Sequence, residues 1–347
     1  QGLDLAEQRA LLLFENDINF VVTFLGCLYA RVVAVPAYPP RSNHHLRRLQ
    51  SLIEDAQSSV VLASPYTSTR FRQQIDELPA LAEKRWLDLN DVNEGLADQW
   101  KMPDLRSDTL AFLQYTSGSL GAPKGVMVGH NSLIHNSIML GHAFSHTDST
   151  VVVSWLPLFH DMGLIGNLMQ ALFQGVPCVL MSPVAFVQEP ARWLRAISTF
   201  KGTTSGGPNS AYNLCLRRIK DEQIEGIDLS SWQVAFDGSE PIRADVVDAF
   251  ADRFAPYGLR RSSMYPCYGM AEATLFVTGA DATIAPKIRS VDATALEDGR
   301  IEDANSGQPT RRLVSCGRIW LEQEIAIVDP TTLTVCPPGR VGEIWLA

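Results

Sequence analysis

The sequence predicts an α/β protein in which helices are layered on sheet, with a β subdomain beginning near the C-terminal end. Three observations carry this. Over residues 1–279, short β-rich runs alternate with helical runs. The loops richest in glycine, serine and aspartate recur where a strand gives way to a helix, the edge at which open α/β sheets bind ligands. The character then changes: residues 280–312 are polar with no strong period, and residues 313–347 read as strands joined by turns.

Taken in order, "LLLFEN" is strand-like. "INFVVTFLGCLYA" (18–30) is the longest apolar run, interrupted by Asn19, Thr23 and Gly26 and preceded by Asp4, Glu7, Glu15 and Asp17. It falls short of the ~18 apolar residues of a membrane span, lacks a basic signal-peptide lead, and fits a buried amphipathic helix. "LAFLQY" (110–115) is a strand ending at a glycine loop, and residues 125–128 begin a second extended piece. Asn131 is placed to cap the helix "SLIHNSIMLGHAF". "VVVSWLPLF" (151–159) reads as a strand. Asp161 is placed to cap the helix "MGLIGNLMQALFQ", with Gly175 as its stop. "VPCVLM" is a strand, and Pro190 suits the first turn of "PARWLRAISTF". Then follow "TSGGPNS" as a loop, "AYNLCLRRI" as a helix, "WQVAF" as a strand and "DGSEP" as a loop. "IRADVVDAFADRF" is a helix stopped near Gly258, and "SSMYPCYG" leads into "MAEATLF". Finally "EIAIVD" and "GEIWLA" are strands joined by the turn-rich "CPPGRVG".

Composition narrows the class. The 347 residues are 46% hydrophobic and 19% charged, enough for a large core. The formal charge of −9 argues against nucleic acid or an anionic membrane as partner. Six scattered cysteines without a C-x-x-C pair read as free thiols rather than a zinc or disulfide framework, and the expected location is the cytoplasm.

The most chemically loaded stretch is "QYTSGSLGAPKGV" (114–126). Glycines let backbone N–H groups converge on an anion. Thr116, Ser117 and Ser119 add donors, and Lys124 adds a charge suited to a polyphosphate. A Walker A loop needs G-x-x-x-x-G-K-[ST]. Here Pro123 precedes the lysine and Gly125 follows it, so a P-loop NTPase is a poor fit. On its own the stretch also admits a plain glycine turn, the lesser of the two readings.

It does not stand alone. The loop resembles the phosphate signature of the adenylate-forming superfamily of acyl-CoA synthetases, peptide synthetase adenylation domains and luciferases. Leu120 stands where that pattern has a second threonine. "VAVPAYPP", "WLPLFHDMGL", "GGPNSAY", "DGSEPI", "YGMAEAT" and "GEIW" match further motifs in the family's order. Within the superfamily, "SWLPLFHDMGLIG" and "CYGMAEATLFV" are most similar to the fatty acyl-AMP ligases. The resemblance implies layered α/β subdomains of the large N-terminal domain over 1–279, a subgroup insertion at 280–312, and the start of a β-barrel-like subdomain at 313–347. It also implies that 1–347 is trimmed at both ends, with the C-terminal lid domain absent.

The implied reaction joins a fatty carboxylate to the α-phosphate of ATP and releases pyrophosphate, for transfer to an acyl carrier protein or a downstream polyketide or peptide synthase. By the resemblance, Thr116, Ser117, Gly118, Ser119, Gly121 and Lys124 hold phosphates, and Glu272 is the Mg²⁺ ligand. Asp237, Gly238, Ser239, Glu240, Tyr268, Gly269 and Met270 surround adenine. His160 stands at the acyl carboxylate, and Met162, Gly163, Ile165, Phe186, Gly206 and Gly207 are candidates for the acyl tunnel. Lys124, Glu272 and His160 are the catalytic candidates.

Three alternatives remain open at this stage: a fatty acyl-CoA ligase, an amino-acid-activating adenylation domain, and a nucleotide-binding fragment with little turnover. Leu120 is the local departure from pattern. Leu120→Thr is expected to tighten ATP binding in an equilibrium titration; unchanged affinity means that the backbone amides suffice.

Overall fold

The computed structural model describes residues 5–39, 43–72, 81, 83–89, 94–116 and 123–347. The chain divides into two compact units, Gln1–Asn136 with Leu156–Ile165, and Ser137–Trp155 with Gly166–Ala347.

The first unit is built on β1 (Arg9–Leu13), β2 (Val33–Ala37), β3 (Val60–Ala63), β4 (Arg85–Asp88), β5 (Leu110–Thr116) and β6 (Lys124–Gly129). They form one sheet in the order β4-β3-β1-β2-β5-β6. The first five strands are parallel, and β6 turns back antiparallel on β5. Parallel sheets are covered on both faces, so their strands carry continuous apolar runs. β1 and β2 do so. The run "INFVVTFLGCLY" forms the helix Ile18–Tyr29, capped by Asp17, whose Oδ1 accepts from Asn19 N at 2.9 Å and Phe20 N at 3.2 Å. Phe24 on its buried side meets Phe112 of β5 edge-on at 5.5 Å. A second helix, Asn43–Ala56, buries Leu46, Leu49, Leu52, Ile53 and Ala56 against Leu11, Leu13, Val35 and Val61. Its i, i+3, i+4 spacing is that of an amphipathic helix with one core-facing stripe. Among the described residues no helix is long and apolar enough to cross a membrane.

The second unit holds β7 (Val152–Ser154), β8 (Cys178–Leu180), β9 (Thr204–Pro208), β10 (Val234–Gly238), β11 (Met264–Gly269) and β12 (Phe276–Gly279). Beyond these lie β13 (Ile288–Asp292), β14 (Thr310–Val314), β15 (Arg318–Ile319), β16 (Ile325–Val328) and β17 (Glu343–Leu346). The main sheet runs β15-β12-β11-β10-β9-β7-β8. Strands β8 to β11 and β7 are parallel, and β12 and β15 add antiparallel edges. Behind β9 and β10 lies an aromatic core of Trp193, Tyr212, Trp232, Phe250 and Phe254. Its polar tips are paired: Trp193 Nε1 donates to Ser205 Oγ at 2.8 Å, and Tyr212 OH to Phe236 O at 2.7 Å, as buried tryptophan and tyrosine require.

Several expectations are corrected. "TSGGPNS" is not a loop: Thr204–Pro208 is a buried central strand, and the next helix begins at Asn209. Gly206 is needed there for a different reason than turning, because a Cβ would overlap the carbonyl oxygen and ring of Phe236 on β10. "VVVSWLPLF" is a strand only to Ser154, and Pro157 then accepts from His160 N at 3.2 Å in a turn. Asn131 lies inside the helix His130–Ala143, which starts one residue earlier, with His130 N bonded to Thr109 O at 3.1 Å. Asp161 is likewise inside its helix, Asp161–Gly163, which His160 precedes as cap. The polar segment 280–312 contains β13 and part of β14, paired antiparallel around the short helix Ala293–Glu297. Strands β16 and β17 pair as a hairpin, as their patterns predict.

Gly206→Ala is expected to cost about 1–3 kcal/mol or more, since overpacking against backbone has no flexible neighbour to yield. Urea unfolding of the variant checks this; a midpoint equal to that of the wild type refutes the packing role.

Candidate active site

In the first unit, the glycine stretch joins the two strands of a hairpin. Thr116 ends β5 and pairs with Lys124, the exposed first residue of β6; Tyr115 pairs with Gly125. Ser117, Gly118, Ser119, Leu120 and Gly121 lie outside the described residues. The root of the hairpin is pinned. Tyr115 OH donates to Asp55 Oδ2 of the helix Asn43–Ala56 at 2.5 Å. Burial, then this bond, push the phenol well above its usual range, so it stays a donor. Gly125 is glycine because a Cβ would stand 2.9 Å from Tyr115 Cζ.

His160 is positioned by the turn before it. Leu158 N donates to Asn16 Oδ1 at 2.6 Å, and Gln114 Nε2 to Phe159 O at 3.0 Å. His160 O then accepts from Gly163 N at 3.1 Å and Leu164 N at 2.9 Å. The His160 Nδ1 lies 2.6 Å from Asp161 Oδ1 and 3.3 Å from Met162 N. One nitrogen cannot donate to the first and accept from the second. Met162 N already has Asp161 Oδ1 at 2.7 Å, so the Nδ1 proton belongs to the Asp161 bond. That bond outweighs burial and raises the imidazole pKa, favouring a half-exposed cation.

In the second unit the candidates collect at the C-terminal ends of β9, β10 and β11. Gly207 lies beside Asp237, and Asp237 beside Pro266. Gly238 pairs with Pro208, and Ser239 follows at φ 68, a left-handed conformation that is uncommon for serine. Glu240 accepts from Ser210 N at the start of the helix Asn209–Arg218, so its carboxylate also serves a helix N-terminus with no cap of its own. Tyr268 and Gly269 fall at a bulge of β11 against β12, and Tyr268 OH lies 3.8 Å from Met270 Sδ. Ser239, Glu240, Tyr268 and Gly269 line a cavity of about 940 Å³, with Arg311, Leu313 and Cys316 on its other side.

Asp237 is fully buried below this loop. Its Oδ2 accepts from Asn209 Nδ2 at 2.7 Å, while Oδ1 has no partner among the described residues. Burial raises its pKa to about 7, against the Asn209 bond and with Glu240 adding to the rise. It supports the loop rather than lining the cavity. Glu272 is exposed on the turn Ala271–Ala273. Thr274 follows at φ 70, ψ −58, and Leu275 N donates to Ala273 O at 2.9 Å. This is a γ-turn, a strained form that fixes the chain leaving Glu272.

The proposed acyl residues divide differently from the expectation. Phe186 is buried and stacks on Trp155 at 3.9 Å. Ile165 and Met162 are buried. The space beside Gly163 is taken by the carbonyl of Pro157, as that beside Gly206 is by Phe236. Both glycines make room for the protein's own chain. Sequence reasoning missed Asn209 and Thr274, although both lie inside quoted motifs: "PNS" places an amide next to the DGSEP strand, and "AEAT" hides a turn that no residue type announces.

A cavity at the carboxyl edge of parallel strands, beside a serine-glycine loop and an aromatic residue, stands where open α/β sheets bind small molecules. The chain belongs to the AMP-binding enzyme family, whose model matches residues 2–347. It is 43% identical over 346 residues to the medium-chain-fatty-acid acyl-carrier-protein ligase JamA of Moorena producens, covering 98% of this chain and 58% of that protein. To the corresponding ligase TtuA of Teredinibacter turnerae it is 38% identical over 377 residues, covering 98% and 59%. The fatty acyl-adenylate ligase of L. pneumophila, solved with acyl adenylate and pyrophosphate, superposes with a TM-score of 0.91 at 38% identity, covering 99% of this chain and 59% of that one. The chain thus spans under two thirds of the length of these relatives.

The raised pKa of Asp237 has a sign. The native state holds a proton that the unfolded chain releases above its ordinary carboxylate pKa, so stability falls as pH rises from about 4 to about 7. Asp237→Asn is expected to abolish this fall, a difference on the order of a few kcal/mol between about pH 5 and about pH 8. Urea midpoints at the two values check it; parallel curves for variant and wild type refute it.

Proposed function

We propose that this chain is the nucleotide- and acyl-binding part of an ATP-dependent fatty acyl-AMP ligase. It activates a fatty carboxylate as acyl-AMP, with pyrophosphate leaving, for transfer to an acyl carrier protein. The observation that carries this is the joint presence of the Thr116–Lys124 hairpin, the Ser239–Glu240 loop, Tyr268 and exposed Glu272, in a chain 43% identical to an acyl-carrier-protein ligase.

The chemistry follows from these groups. Lys124 and Thr116 supply positive charge and a donor to a leaving pyrophosphate, where negative charge accumulates. Tyr268 offers its ring to adenine, and the Ser239 turn presents backbone to the base. His160, whose charged form the Asp161 bond favours, stands ready to balance the incoming carboxylate. The donor set fits Mg²⁺: Glu272 is a single exposed hard-oxygen ligand, and magnesium commonly takes one or two carboxylates, phosphates and water rather than a protein cage. When bound, the cation neutralises charge on the phosphates. Among the described residues no cluster of three acidic, histidine or cysteine ligands competes for that role.

Mass spectrometry of acyl-adenylate formed with ATP and a ladder of fatty acids tests the reading in the protein carrying this chain. Acyl-AMP without acyl-CoA on adding CoA is the expected result; abundant acyl-CoA would overturn it. Glu272→Ala is expected to lower Mg²⁺-dependent adenylation at least about a hundredfold, with unchanged activity pointing to another ligand.

A further inference from the structure

Three elements that build the nucleotide cavity meet at one carboxylate outside it. Asp248 lies on the helix Ala244–Phe254, which follows directly on the Ser239–Arg243 segment of the adenine loop. Its Oδ2 accepts from Arg312 Nη2 on β14 at 2.6 Å, and its Oδ1 accepts from Arg261 Nη2. Arg261 starts the turn that enters β11, the strand that carries Tyr268. A backbone bridge between Arg243 and Leu313 holds the same ribbon a few residues away.

We propose that Asp248 is a positioning residue of the nucleotide site: it fastens the β13–β14 ribbon to the adenine-loop helix, and so sets the wall that Arg311, Arg312 and Leu313 give the cavity. This rests on the nucleotide reading above. An isolated surface ion pair contributes little. Asp248 differs in that each oxygen receives its own guanidinium donor and its side chain is only 26% exposed. Arg261 orients the carboxylate, leaving Oδ2 aimed at Arg312; such charge-assisted bonds carry geometry as well as energy. Release of Arg312 leaves the ribbon attached to the helix by the Arg243–Leu313 bridge, a hinge about which the wall can turn.

AMP affinity by calorimetry and hydrogen exchange of peptides covering 310–314 test this together. Asp248→Asn and Arg312→Ala are each expected to weaken AMP binding about tenfold, with the double variant no worse than either, since contacting residues couple. Arg312→Lys should recover part of the loss. Exchange in β14 should rise while the unfolding midpoint stays near that of wild type. Arg312 also lines the cavity, so should Asp248→Asn fold poorly, Arg261→Ala, a change outside the lining, carries the test and is expected to show the same loss. Wild-type binding with unchanged affinity in the variants, or fully additive losses, would overturn the positioning role. Failure of the wild-type chain to bind AMP would overturn the nucleotide reading and the role with it.

Discussion

The second unit depends on the close approach of β9 to β10. Gly206 lies against the carbonyl and ring of Phe236, and no side chain fits between them. That approach lines up Gly207, Asp237 and Pro266 across three strands. It also brings Asn209, the first residue of the next helix, within 2.7 Å of the buried Asp237 carboxyl. The Ser239–Glu240 loop leaves β10 after Gly238. Its path is therefore set by packing and a buried hydrogen bond beneath it, and the residues that face a ligand inherit their places from residues that do not.

The α/β class and the order of the elements were legible because hydrophobic runs in parallel sheets are long and their breaks are marked by glycine and proline. The errors share a cause. "TSGGPNS" has turn composition, yet it is a strand, because a glycine can also mark close approach of another backbone. "VVVSWLPLF" is apolar beyond Ser154, yet Pro157 bends it and only three residues pair as β7. Residues 280–312 lack a strong period because β13 and β14 form a two-stranded ribbon with half of its residues exposed and no clean alternation of faces.

Within the site, motif residues were easier to name than to assign. Tyr268, Ser239 and Glu240 line the cavity. Asp237, from the same motif, is buried beneath them, and its partner Asn209 comes from another motif altogether. The four letters of "DGSE" give no hint of this division: β10 ends at Gly238, so Asp237 is held in the buried sheet while Ser239 and Glu240 stand on the loop beyond it. The space beside Gly163 is filled by the Pro157 carbonyl, and that beside Gly206 by the carbonyl and ring of Phe236.

The γ-turn at Thr274 bears on how a cation would be greeted. A β-branched residue at φ 70 is held there at a cost of order 1–3 kcal/mol, and such a conformation persists only where its surroundings dictate it. The cost is met when the chain folds, before any ligand arrives. Glu272 thus stands on a main chain already stiffened, so on the reading proposed above a cation bound there would lose little further configurational entropy in arranging this carboxylate. Preorganisation of this kind trades global stability for a fixed carboxylate position, and on the reading proposed above it would favour a cation that asks for only one protein oxygen.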